Sequence, residues 1–357
     1  MNLYYLTKYR GSIMSIKLKD IIYAKRGSTI TSNEFKINPG SYPLISASAQ
    51  NNGVFGYINS YMYEGGHITI SMNGNAGCVF YQKDKFSANS DVLVLSNIDN
   101  KISNNKFIFY WLKKHENTKI KSLCKGTTRL RLSNDDVLNL EINLPPIEEQ
   151  NAIISIIEPL DILENKINKL KTVLKKLLIN IYDKNCNSHV NLFENNKIYT
   201  NKYLNQNLYC DTSCIGELEI NFSKMINISL EDKPSRADLS IKNNSIIFSK
   251  LLGENKVYCF LNNENIVFST GFFNIKSNDE NNDDLLSFLL SSDFKNQKSM
   301  LANGTTMIGI NNSDLTKVRC KAPFLNSNIY FTFFNKLNEI ENKITLARNK
   351  IVNLLIK

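Results

Sequence analysis

The sequence predicts an α/β (α+β) protein made of two tandem domains, each followed by a long helix, with the two helices pairing as an antiparallel coiled coil. Three observations carry this: an apolar heptad stripe written twice, a set of motifs repeated at a fixed interval, and a text of short strands and turns between them.

The first stripe is Leu160, Leu163, Ile167, Leu170, Leu174, Leu177 and Ile181, whose steps of three and four keep one narrow apolar row along a helix. It returns as Leu337, Ile340, Ile344, Ala347, Ile351 and Leu354, each 177 residues after its counterpart. A helix lying on its own globular core shows a broader apolar face than two positions in seven, so the stripes read as a seam between helices rather than as two independent amphipathic helices. Similar units joined through equivalent surfaces make an approximately two-fold contact, which sets the helices antiparallel.

In chain order, the residues before Met14 read as an extension, and Met14 is an alternative start. From Lys17 the text is LKDIIYA, a turn-rich KRGSTITSNEFKINPGSYP, then GVFGYI and the alternating HITIS, a mixed α/β unit. Gly74-Asn75-Ala76-Gly77 is a tight turn rather than a phosphate loop. KFIFYWLKK, from Lys106 to Lys114, is a buried helix or strand, its aromatics core before they are a stacking platform. Asp135 and Asp136 cap a single helical turn, and Leu138, Leu140, Ile142 and Leu144 alternate as a half-exposed strand. Pro145 and Pro146 end it, and Glu148 and Glu149 suit the first turn of the long helix. Pro159 should make the leg up to Ile157 a separate or kinked helix. After Tyr182 the Asn-rich DKNCNSHVNLFENN reads as a linker.

The pattern then begins again at an offset of 178: Gly126-Thr127-Thr128 recurs as Gly304-Thr305-Thr306, Asp136 as Asp314, Pro145 as Pro323, and Ile70-Ser71 as Phe248-Ser249. Leu140, Ile142 and Leu144 become Val318, Cys320 and Ala322. The resulting limits are 1–145 and 186–324 for the domains, and 146–185 and 325–357 for the helices. Around the repeated Gly-Thr-Thr the copies differ: Lys121, Lys125, Arg129 and Arg131 face Ser299, Asn303, Met307 and Gly309. The scaffold is repeated and the polar surface is not.

Composition bounds the function. The net charge of +10 favours a polyanionic partner, nucleic acid or an anionic surface. No apolar run reaches the length of a membrane span, and Lys8 and Arg10 interrupt any signal-peptide core, so a cytoplasmic protein is expected. Seven cysteines without a CxxC pair read as reduced thiols, and Cys210 and Cys214 as incidental rather than zinc ligands. The chain has no P-loop and no HExxH, and its one Pro-Pro, Leu144-Pro145-Pro146-Ile147, is a helix start rather than a methyltransferase motif. No catalytic and no metal site is assigned.

In the order of its parts the chain resembles the specificity (S) subunit of a Type I restriction-modification system. The residues that carry this are LRLSNDDVLNLEINLPPIEEQ before a helix through ENKINKLK, then GINNSDLTKVRCKAP before a helix through ENKITLARNK. The resemblance implies that each domain is a target recognition domain reading half of a bipartite DNA site, with the paired helices as spacer. It also implies two methyltransferase (M) subunits as partners, restriction-translocase (R) subunits for cleavage, no cofactor of its own, and S-adenosylmethionine held by the methyltransferase. At roughly 1.5 Å per residue the first stripe spans ~33 Å, close to a turn of B-DNA. Two departures stand out: beyond Pro323 the second copy has FLNSN in place of LPPIEEQ, and the first has no equivalent of the second's Lys233-Pro234-Ser235-Arg236.

Candidate DNA contacts are Lys25 and Arg26 in a Gly-flanked turn, Lys83 and Lys85 by a strand end, and Lys121, Lys125, Arg129 and Arg131 around the repeated loop. Lys233, Arg236, Lys250 and Lys256 are their analogues in the second domain. Asn73, Asn75 and Asn303 could read adenine edges, against a plain role in turns. The alternatives are a coiled-coil interaction protein that does not bind DNA, and a self-sufficient nuclease.

Overall fold

The computed structural model describes residues 14–253, 255–262, 265–305 and 307–356. The extension before Met14 and Thr306 of the second Gly-Thr-Thr lie outside them. The chain divides into two compact units, one running to Ile162 and taking in the residues from Thr345 onward, the other Leu163–Ile344.

The first unit contains β1 (Met14–Lys17), β2 (Ile22–Arg26), α1 (Ser32–Ile37), β3 (Pro39–Ile45), β4 (Val54–Ile58), β5 (His67–Ser71), β6 (Val79–Gln82), β7 (Ser87–Ala88), β8 (Val92–Asn97), α2 (Asn105–Lys114), α3 (Asn134–Leu138) and β9 (Glu141–Leu144). One sheet is ordered β2-β8-β5-β6 and a second β4-β3-β7, with β3 and β7 parallel. Strand β8, VLVLSN, is buried on both faces of its sheet. One face, Ile68, Ile70, Leu93 and Leu95, meets Phe107, Ile108, Trp111 and Leu112 of α2. The other, Val92 and Val94, meets Ile45, Phe86 and Ala88. KFIFYWLKK is therefore a core helix, started by the Asn104 side chain accepting from the Lys106 and Phe107 N–H groups.

The second unit contains β10 (His189–Asn191), α5 (Leu192–Asn195), β11 (Asn196–Tyr199), β12 (Leu208–Cys210), β13 (Ile226–Asn227), β14 (Ala237–Ser240), β15 (Ser245–Ser249), β16 (Val257–Phe260), β17 (Ile266–Ser269), β18 (Phe272–Ser277), α6 (Asn282–Leu290), α7 (Ser292–Leu301), α8 (Asn312–Leu315) and β19 (Arg319–Lys321). Its main sheet, β11-β18-β15-β16, repeats the first unit's order, with Ile246 opposite Ile275 where the first unit sets Ile68 opposite Leu95. Its second sheet, β13-β12-β17-β14, keeps the parallel pair as β12 with β17. The duplication read from scattered motifs is thus a duplication of topology and register.

Several local expectations change. The stretch after Tyr182 is not a free linker: β10 pairs antiparallel with β19, and α5 is held by a capping box of Asn191 and Glu194 with Leu192 fully buried. This is the second unit's version of β1 pairing with β9, where Ile16 faces Ile142. Each unit opens with a strand that lies against its own closing strand. Asp135 and Asp136 stand in the first turn of α3 rather than capping it; the cap is Ser133, whose hydroxyl accepts the Asp136 N–H. Leu138 ends α3 and Leu140 precedes the strand, leaving Ile142 and Leu144 as the buried members of β9.

The long helices are α4 (Ile147–Lys184) and α9 (Ile329–Leu355). Pro159 does not divide α4, which runs on as one helix. An interior proline costs about 3 kcal/mol, and burial of Ile153, Ile154, Ile157 and Ile167 on either side of it offsets that, at about 1.5–3 kcal/mol each. The helices pair antiparallel: Arg348 Nη1 donates to Asp161 Oδ1 at 3.1 Å in the first unit, and Lys171 pairs with Glu341 in the second. The buried stripe is rotated from the one read in the sequence. Ile167, Leu337 and Ile344 are buried and Leu160, Leu174, Ile181 and Ile351 half-buried, while Leu163, Leu170, Leu177, Ile340, Ala347 and Leu354 are exposed. The reason is that each helix also serves a core: Ile153 and Ile157 are fixed in the first unit's core, and Leu178 and Tyr182 in the second's. Those anchors set the rotation, which turns Asp161, Lys171, Asn338 and Glu341 inward and half of the leucines outward.

The two helix starts are held differently. In the first unit Gln150 of LPPIEEQ, fully buried, donates to the Ile102 and Pro145 carbonyls and accepts the Asn104 N–H at 2.8 Å. In the second, Asp283 of α6 accepts from Ser327 Oγ and the Tyr330 and Phe331 N–H groups, and Asp284 from the Phe324, Leu325 and Asn326 N–H groups. The missing LPPIEEQ is replaced by two aspartates from another helix.

Candidate nucleic-acid interface

The repeated Gly-Thr, Gly126-Thr127 and Gly304-Thr305, lies at the tip of a loop with the same build in both units. In the first, Lys125 and Arg131 exchange N–H···O bonds of 2.8 Å and Arg131 bridges to Asn73; in the second, Asn303 and Gly309 exchange bonds of 2.8 and 3.0 Å and Gly309 bridges to Leu251. Gly126 and Gly304 have φ of 115° and 116°, and a Cβ on either would stand 2.5 or 2.7 Å from a carbonyl oxygen across the turn. Only glycine fits without strain.

On this common frame the first unit gathers cations. Arg26, at the end of β2, donates through Nε to Asn134 Oδ1 at 2.9 Å and through Nη1 to the Ser90 carbonyl, and burial lowers its pKa. Arg129 pairs with Asp91 at 3.2 Å, and the other oxygen of that carboxylate accepts from Asn73 Nδ2 at 2.5 Å. Lys125 is exposed, 4.0 Å from Asp136. Arg26, Asn73, Lys125, Arg129 and Arg131 therefore sit on one surface, organised by Asp91, Asn134 and the loop.

Other candidates go elsewhere. Lys121 is tied to Glu116 at 2.9 Å, beside Lys113 on the same carboxylate and the Val79 N–H. Burial works to raise the Glu116 pKa, but those cations and that N–H hold it below the usual range; Lys121, lowered by burial, is in turn raised by Glu116. It serves the core's edge. Lys85 pairs with Glu64 at 3.1 Å and with the Tyr61 hydroxyl, and the neighbouring Lys83 is exposed. Lys25 is exposed on β2. Asn75 donates to the Ala47 carbonyl and Asn303 to the Leu301 carbonyl, so these amides shape turns. The Gly74 to Gly77 stretch is a turn, with the Gly77 N–H on the Ser71 carbonyl.

In the second unit Arg236 approaches Met307 Sδ, the counterpart of Arg129, at 3.9 Å. The charge has moved from the loop to the KPSR stretch facing it. Lys250 lies beneath the loop, half-buried with Nζ 4.9 Å from the Phe273 ring, and burial lowers its pKa. Lys233 lies 4.0 Å from Asp238 and over the Tyr203 ring, and Lys256 Nζ donates to the Thr212 carbonyl at 2.6 Å. A buried partner the sequence reading missed is Lys298, on α7, whose Nζ donates to the Ser249 carbonyl at 2.6 Å. Its place 178 residues after Ile120 was the available signal.

No cluster of metal-ligating side chains is found among the described residues. All seven cysteines are free thiols; Cys210 and Cys214 share a hydrogen bond that raises the former's pKa and lowers the latter's to about 7. Among the described residues no helix is long and apolar enough to cross a membrane.

Residues 12–176 match the family of the Type I restriction modification DNA specificity domain. The chain is 35% identical over 143 residues to a Type I restriction enzyme specificity subunit of Mycoplasma pneumoniae, covering 40% of this chain and 42% of that protein. It is 25% identical over 368 residues to another of Methanocaldococcus jannaschii, covering 89% and 85%. The chain spans about half the length of the M. pneumoniae relatives that it matches. In fold it is similar over its whole length to the crystal structure of a Type-I restriction-modification system S subunit from M. genitalium, at a TM-score of 0.55 and 14% identity, with 98% of that chain covered. With the duplicated frame and the paired helices, these likenesses make residues 12–176 similar to the Type I restriction modification DNA specificity domain, and give the whole chain the fold of a Type I restriction-modification S subunit.

Proposed function

We propose that this chain is the non-catalytic DNA-specificity subunit of a Type I restriction-modification complex, its two units reading different halves of one duplex target. The observation that carries the reading is the loop pair: one backbone frame, matched to the bridge and to the glycine φ, with Lys125, Arg129 and Arg131 on one copy and Asn303, Met307 and Gly309 on the other. A frame kept while its outward side chains change is what two readers of unlike sequences need. On this reading residues 1–145 and 186–324 are the target recognition domains, and 146–185 and 325–357 are the spacer helices. DNA contacts come from Lys25, Arg26, Asn73, Lys125, Arg129 and Arg131 in the first and from Lys233, Arg236 and Lys250 in the second.

The methyltransferase subunits, two per complex, dock on the helices and bring the S-adenosylmethionine; restriction subunits join them. In the second unit α4 turns Leu163, Leu170, Val173 and Leu177 outward and α9 turns out Phe333 and Ile340, each at least 40% exposed. A row of large apolar side chains along a helix pair marks a surface for protein partners. The test has two arms. Purified alone, the chain should methylate nothing and should bind duplex DNA with a steep dependence on salt; with its methyltransferase it should direct N6-adenine methylation. Arg129→Met, which copies the second loop's residue, should lower the slope of log K against log[KCl] by about 0.9 and leave the thermal midpoint in place. Methyl transfer by the pure chain, or binding indifferent to salt, would sink the reading.

A further inference from the structure

The units differ beneath their loops as well as on them. In the first, Met72 and Ile120 are fully buried. The second sets lysines in both places. The equivalence is one of backbone hydrogen bonding: the Met72 N–H donates to the Asp91 carbonyl and the Met72 carbonyl accepts the Leu132 N–H, both at 2.8 Å, and the Lys250 N–H donates to the Gly271 carbonyl at 2.9 Å and the Lys250 carbonyl accepts the Ile310 N–H at 3.0 Å. Lys298, at the Ile120 position, is 5% exposed and bonds the carbonyl of Ser249, the residue before Lys250.

Neither ammonium has a carboxylate partner among the described residues; loss of solvent is what acts on each. Replacing two apolar side chains with two cations and giving them no counter-charge is costly to the fold, far more than leaving methionine and isoleucine. Lys250 is half-buried, its Nζ 4.9 Å from the Phe273 ring. Gly309 stands where the first unit has Arg131, and its backbone lies so close to Lys250 that a Cβ there would be 2.6 Å from the Lys250 carbonyl oxygen. Arg236, facing Met307, adds a third positive charge at the same loop.

We propose that Lys250, backed by Lys298, is the seat for a DNA backbone phosphate in the second unit, doing from below the loop what Lys125, Arg129 and Arg131 do from on top of it in the first. The proposal rests on the DNA-reading function above. A half-desolvated ammonium gains more from a phosphate oxygen than a fully hydrated one, because less water must be removed. The phosphate supplies the missing counter-charge.

The test is the full-length chain binding a random-sequence duplex, followed by fluorescence anisotropy across a KCl series. Lys250→Met, the first unit's own residue, should weaken binding several-fold and lower the slope of log K against log[KCl] by about 0.9, with no fall in the thermal midpoint. Lys250→Arg should keep the slope. Lys298→Ile should weaken binding less. Wild-type slope and affinity in Lys250→Met would overturn this proposal alone, whereas a wild-type chain that does not bind duplex would overturn the DNA reading and this proposal with it.

Discussion

The two units solve one construction problem, starting a long helix at the edge of a sheet-and-helix core, with opposite chemistry. The first uses a neutral amide on the long helix itself, Gln150, reaching back to Ile102, Pro145 and Asn104. The second uses carboxylate side chains on α6, whose Asp283 and Asp284 gather the backbone N–H groups of 324–326, 330 and 331. Asn104 and Asn282 are equivalent at the 178 offset, so Lys106 and Asp284 occupy the same position; the former pairs with Glu158 on α4 and the latter caps the approach to α9. Duplication fixed where the helix must start and left open which side chains hold it.

The largest effect should come from breaking that comparison at its charged end. Asp283→Ala removes a fully buried acceptor of three hydrogen bonds and strands the Tyr330 and Phe331 N–H groups. A loss of about 4 kcal/mol is expected in denaturant unfolding, against about 2 kcal/mol for Gln150→Ala, whose bonds are neutral. Equal losses would mean that charge adds nothing at this join.

A second contrast is pH. Burial holds the Lys298 pKa at about 8, well below its ordinary 10.5. Between those values the unfolded chain binds a proton that the folded chain does not, so this lysine makes stability rise with pH across the window, by about 3 kcal/mol at most. Lys298→Ile should flatten that part of the profile, and a stability curve of unchanged slope from pH 8 to 10.5 would show that the amine is solvated.

The smallest effects test what is shared. Gly126→Ala and Gly304→Ala each place a methyl group against a carbonyl oxygen at positive φ, and each should cost about 1–3 kcal/mol. The two costs should agree, because the loops have one geometry; a difference larger than about 1 kcal/mol would mean that the two frames are not equivalent.

How much of this was legible depends on the distance over which each feature is determined. The Gly-Thr-Thr repeat and the core helix KFIFYWLKK could be read because a left-handed turn and a run of aromatics are local requirements. The opening strands could not: Met14–Lys17 and His189–Asn191 are short and half polar, and are strands because they meet residues more than 100 positions away. The heptad stripe foretold that the long helices pair and in which direction, but not their rotation, which the core anchors Ile157 and Tyr182 decide. Among the candidate cations, sequence proximity put Lys121 with Lys125 and Arg129, while Glu116 draws it away. Lys298 lay in a helix with no pattern of its own and emerged only from alignment with Ile120.

The pairing of β1 with β9 and of β10 with β19 has a consequence for ancestry. A globule whose first and last strands are neighbours has its entrance and exit at one doorway, so recombination at the two ends can exchange the whole insert without re-threading what remains. The chain is built like a socket that accepts cassettes, so that one whole surface can be exchanged in a single step rather than reshaped residue by residue.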